Sequence, residues 1–77
     1  MSLNMVRVNL FVKNRMSEDD MLKFRSMMLY LIKNKFLKED VIDSLNKVIE
    51  LEDIMDDPGS EALKIITEAF NENKETK

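Results

Sequence analysis

Met27-Met28-Leu29-Tyr30-Leu31-Ile32 places six apolar or aromatic side chains in a row, in the middle of what reads as a long amphipathic helix. At about 100° per residue, the apolar side chains of Met21 to Phe36 spread over an arc of about 220°, whereas a helix with one buried face needs about 100° or more. Two faces of this helix therefore want cover. The expectation is that Met27, Met28, Leu31 and Ile32 lie in the core or in a seam with another copy of the chain.

The start of this helix is the clearest local signal in the sequence. Ser17 can accept a hydrogen bond from the first turn, Asp20 stands three residues later where a capping box completes, and Glu18 and Asp19 suit the positive end of the helix dipole. Met16 and Met21 fit a hydrophobic staple. Lys33, Lys35 and Asn34, which tolerates a left-handed backbone, read as the stop.

Downstream, Glu39 and Asp40 open a second helix in which Val41, Leu45, Val48 and Met55 share a stripe flanked by Ile42, Ile49 and Leu51. It is expected to stop near Asp56, because Asp57-Pro58-Gly59 disfavours continuation and Pro58 lacks a donor. A third helix follows, capped by Asp57 with Pro58 at its first position, or by Ser60. Its Leu63, Ile66 and Phe70 lie along one face. Leu45, Val48, Ile49, Leu63, Ile66 and Phe70 are the expected remainder of the core, with Glu50 to Asp57 facing solvent.

Upstream, Val6, Val8, Leu10 and Val12 alternate with Arg7, Asn9, Phe11 and Lys13, the period of a half-buried strand. A lone strand has unpaired edges and this chain offers it no second strand, so its simplest partner is the same strand of another copy. The fold expected is mainly α: residues 1–16 an extended arm or strand, 17–71 a helical domain of three helices, 72–77 a disordered tail, the whole forming a dimer.

Composition points the same way. A domain of 77 residues buries only about 60% of its unfolded surface and is marginal without help. With no cysteine and no histidine, disulfides are impossible and a transition-metal staple is a poor fit, which leaves self-association. The lack of cysteine fits a reducing cytoplasm. No stretch approaches the roughly 18 apolar residues of a membrane span, and Met1 to Arg15 lacks the apolar centre of a signal peptide. Lys outnumbers Arg nine to three, which suits an AT-rich genome such as that of a low-GC bacterium or its phage.

The net charge of -3 hides a gradient. Residues 1–37 carry seven Lys/Arg against Glu18, Asp19 and Asp20, a balance of +4, while residues 38–77 sum to -7. Such polarity favours antiparallel pairing with a second copy, or a basic protein partner for the acidic half.

The commonest bases, nucleophiles and transition-metal ligands are absent with histidine and cysteine, and a single glycine excludes Gly-rich phosphate loops. No enzyme activity and no cofactor are expected. Glu50, Glu52, Asp53, Asp56 and Asp57 are densely spaced but lack the alternating ligands and glycine of a calcium loop, so no metal site is assigned. The function expected is protein–protein interaction or regulation by a homodimer, with the interface at Met27, Met28, Leu31 and Ile32.

At the level of pattern there are two resemblances. The smaller is Asp43-Ser44-Leu45 with Val48 behind it, which is similar to the phosphopantetheine-bearing motif of acyl carrier proteins although Ser44 sits inside a helical pattern. Arg7-Val8-Asn9-Leu10-Phe11-Val12 ahead of Ser17, then a turn and Glu39-Asp40-Val41-Ile42-Asp43-Ser44-Leu45 opening the next helix, resembles the ribbon-helix-helix repressors and antitoxins over residues 5–51. In that family two strands pair across a dimer and enter the major groove. The resemblance implies DNA contact through outward-facing Arg7 and Asn9, with Phe11 beside them, and nucleic acid is a partner under this alternative alone.

Overall fold

The computed structural model describes residues 5–75, and the rest of the arm and tail lie outside them. Four helices follow one another: α1 (Met5–Arg15), α2 (Glu18–Lys33), α3 (Glu39–Glu50) and α4 (Pro58–Glu75). There is no strand among the described residues. α4 is the central helix, packed against α2 and α3 and, less extensively, α1, which also touches α2.

The strand expected at residues 6–13 is a helix. Its sequence satisfies both periods, because Val8, Phe11 and Val12 stand at i, i+3 and i+4 as well as in an alternating run. All three are buried, Val12 completely. A helix satisfies its backbone internally, while a strand here would need a partner edge that this chain does not supply. The described residues therefore form four helices, not three preceded by a strand over residues 6–13.

α2 begins as the sequence implies: Ser17 Oγ accepts a hydrogen bond from the Asp20 backbone N–H at 3.2 Å. Its end differs in one residue. The left-handed position falls on Lys35 (φ 60°), while Asn34 stays at φ -95° and its side chain donates to the Tyr30 carbonyl. The Lys35 N–H donates to the Ile32 carbonyl at 3.1 Å and the Phe36 N–H to the Leu31 carbonyl at 2.8 Å, the paired closure of a Schellman motif.

α3 stops at Glu50, earlier than expected, and Leu51 to Ile54 form a turn closed by the Ile54 and Met55 N–H groups on the Leu51 carbonyl. Carboxylates at Glu50, Glu52 and Asp53 would oppose the negative end of a longer helix dipole. Arg15 instead holds the turn, 3.1 Å from Glu52 and 3.8 Å from Asp53. Asp57 caps α4 by accepting from the Ser60 N–H at 3.2 Å, with Pro58 in the first turn. α4 runs on to Glu75, past the tail boundary expected at residue 72.

One core unites the elements: Val8, Phe11, Val12, Phe24, Met28, Leu31, Leu45, Val48, Ala62, Ile66 and Ala69. Ile49 and Leu63 pack at its margin, and Phe70 is half-buried, its ring 5.0 Å from that of Tyr30 in an edge-on contact. Gly59 is buried where α4 starts against the end of α1. A Cβ there would stand 2.1 Å from the Arg15 carbonyl oxygen, so only glycine allows this approach.

Candidate functional site

The crowded helix receives its two covers from its own chain. α4 and α1 both pack against α2, so that Phe24, Met28 and Leu31 are enclosed and Met27 and Tyr30 are half-buried. Met28 and Leu31 are thus consumed by the protomer's core and have no surface to offer a second copy. Of the two places expected for these residues, core or seam, Met28 and Leu31 take the core, where the helical α1 helps to shelter a face that an extended arm would have left bare.

The apolar surface that remains on α2 lies opposite the core. Leu22 is 59% exposed, Leu29 62% and Ile32 41%. At about 100° per residue, Glu18, Leu22, Ser26, Leu29 and Lys33 fall within an arc of about 80°, centred away from Leu31, and Ile32 borders it. Isolated exposed leucines are ordinary on a protein surface; these two lie two turns apart on one face, and with Ser26 between them they mark an outer stripe of α2.

A groove runs along either flank. Between α1 and α2 it is bordered by Met5, Val8, Asn9, Phe24, Arg25, Met28 and Leu29 and encloses about 360 Å³. The Nε of Arg25 is buried there with no hydrogen-bond partner among the described residues. Between α2 and α4 a shallower groove of about 520 Å³ is bordered by Leu22, Lys23, Ser26, Met27, Leu63 and Thr67, and its walls are mostly apolar. Leu22 and Leu29 thus each stand on the rim of a groove, on opposite sides of the stripe.

The residues expected to read DNA do not share a face. A strand would align Arg7, Asn9 and Phe11, but α1 sends Arg7 to the groove beside Ile49 and Glu52, Asn9 to the groove beside Phe24 and Arg25, and Phe11 into the core. The ribbon that the repressor resemblance requires is absent from the described residues.

The expectation that Glu50 to Asp57 faces solvent has its place in the structure. Between Glu50 and Asp57 the acidic residues are exposed except Glu52, which is half-buried beneath Arg15. No three acidic side chains among the described residues converge closely enough to hold a cation. No helix of the described residues is long and apolar enough to cross a membrane.

The sequence reading missed Leu22 and Leu29 as surface residues. Their signal is positional: on a wheel centred on Phe24, Met28 and Leu31, both fall on the far side, but that centre is known only once α1 and α4 are placed. Comparison with known proteins finds no family model that matches the chain, and no match among curated proteins or among solved structures.

Proposed function

We propose that this protein is a small non-catalytic interaction module that works as a homodimer, and that its contact surface is the outer stripe of α2. The observation that carries this reading is the pair Leu22 and Leu29, about three-fifths exposed each, on one face of a well-capped helix whose opposite face holds the core. Neither side chain belongs to the buried core. Rigid, pre-formed helix faces of this kind dock against other helices through i, i+3, i+4 and i+7 anchors.

The affinity expected is modest. Finishing the burial of a partly exposed leucine or isoleucine contributes about 1 kcal/mol, so six such side chains in a dimer give about 6 kcal/mol before flanking contacts. Association costs at least about 4 kcal/mol. The net of about 2 kcal/mol corresponds to a Kd of about 30 mM, so contacts along the flanking grooves must contribute at least about 2 kcal/mol more for the dimer to form at millimolar concentration and dissociate on dilution.

Sedimentation equilibrium over a dilution series tests this. The apparent mass should rise from 9.1 kDa towards twice that value with concentration. Leu22→Asp combined with Leu29→Asp should hold the chain at 9.1 kDa throughout while preserving its helical circular dichroism, since both positions lie outside the core. A mass fixed at 9.1 kDa at millimolar concentration, or a double variant that associates as tightly as the parent, would remove the reading.

A further inference from the structure

The outer stripe of α2 is complementary to itself in one orientation. Glu18 opens it and Lys33 closes it, and the four-residue step from Glu18 to Leu22 recurs from Leu29 to Lys33. When two copies lie antiparallel with Leu22 of each against Leu29 of the other, Glu18 of each falls opposite Lys33 of its partner. Both ends of the seam then carry an opposite-charge pair. A parallel arrangement in register would set Glu18 against Glu18 and Lys33 against Lys33.

Four further observations suit the antiparallel arrangement. Glu18 and Lys33 are exposed, and neither forms an ion pair among the described residues. Ser26 lies near the midpoint, where a small side chain lets helix axes approach to the usual 8–10 Å. Arg25, the charged residue nearest the midpoint, is turned towards α1, where it borders the groove with Met5 and Asn9. On the other flank, the apolar groove beside Leu22, Met27 and Leu63 is open to receive Leu29 of the second copy.

We infer that the occupant of this face is a second copy of the chain, docked antiparallel about Ser26 and held in register by reciprocal Glu18–Lys33 pairs. The inference rests on the reading of the α2 stripe as a dimer seam and adds orientation, register and the residues that set them. Charge pairing of this kind selects the partner's orientation more than it adds affinity.

The chain has no cysteine, so engineered thiols report the arrangement directly. Oxidised Ser26→Cys should form a disulfide-linked dimer, and a mixture of Leu22→Cys with Leu29→Cys should give the mixed disulfide. Leu22→Cys alone should not cross-link, because seven residues separate positions 22 and 29 and the two thiols would stand about 10 Å apart along the axis, beyond the roughly 7 Å Cα separation a disulfide spans. Efficient cross-linking of Leu22→Cys with itself would overturn the antiparallel register while leaving the seam in place. Absence of every cross-link together with an invariant 9.1 kDa mass would overturn the dimer and the register together.

Charge exchange supplies a second readout that does not depend on oxidation. Glu18→Lys and Lys33→Glu each set like charges opposite each other twice per homodimer, and each alone should associate about tenfold more weakly. Mixed, they restore both opposite-charge pairs, so the heterodimer should form at close to parental affinity. A mixture that binds no tighter than the separate variants would overturn the Glu18–Lys33 pairing.

Discussion

Replacement of Gly59 by alanine isolates the contact that makes α1 part of the domain. The added Cβ would meet the Arg15 carbonyl oxygen at 2.1 Å and the Arg15 carbonyl carbon at 3.0 Å. Both are backbone atoms, so relief requires α1 and α4 to separate by about 1 Å to regain ordinary contact. Overpacking of this kind costs about 1–3 kcal/mol, and a contact this short between two backbones belongs at the upper end. Alanine in place of a helical glycine returns about 0.5–1 kcal/mol through the unfolded chain, leaving a net loss of about 2 kcal/mol. For a domain of this size each kcal/mol shifts Tm by about 4–8 °C, so thermal denaturation followed by circular dichroism should show a fall of about 8–16 °C. Arg15→Ala is the matching control: it removes the ion pairs to Glu52 and Asp53 but leaves the carbonyl, and exposed pairs contribute about 1 kcal/mol at most. An unchanged or raised Tm for Gly59→Ala would refute the docking of α4 on the end of α1, because alanine at a free helix start is stabilising.

Other substitutions test the local arguments. Lys35→Gly should raise stability by about 1 kcal/mol in urea denaturation, since Lys35 holds φ 60° at the end of α2 and glycine does so without strain. Ser17→Ala should lower it by about 1 kcal/mol by removing the hydrogen bond from Asp20 N–H, with the denaturation midpoint shifting and the slope unchanged. Ile66→Ala, at a fully buried position on α4, should cost about 2–5 kcal/mol. That is a large share of the roughly 4–12 kcal/mol expected for a chain of this length, and one-dimensional NMR should show loss of dispersed methyl signals.

The dimer proposal has a structural corollary. Burial of one α2 face inside the protomer and association through the other are independent events, so Leu22→Asp and Leu29→Asp should separate association from folding, whereas substitution of Met28 or Leu31 would abolish both. The exposed acids Glu50, Asp53, Asp56 and Asp57 line neither groove beside the α2 stripe, and they should stay exposed in such a dimer.

Sequence alone determined α2 and the start of α3, and narrowed the cap of α4 to Asp57 or Ser60, of which the structure takes Asp57. Each rests on short-range chemistry: the Ser17 hydroxyl within reach of Asp20, the acidic first turn of α3, and Asp57 followed by a proline that fits only the first turn of a helix. The spacing of Leu45, Val48, Ile49, Leu63 and Ile66 likewise placed one face of α3 and α4 inward, because a helix has one period and one dry side. Tertiary structure decided the rest. Residues 5–15 carry a pattern compatible with strand or helix, and only the hollow beside α2 and α4, which accepts Val8, Phe11 and Val12 on one helical face, makes the helix prevail. The same docking decided which apolar residues of α2 are spent: an arc of about 220° cannot announce from its own residues which parts neighbours will cover, and Leu22 and Leu29 are left outward because α1 and α4 approach from the other side.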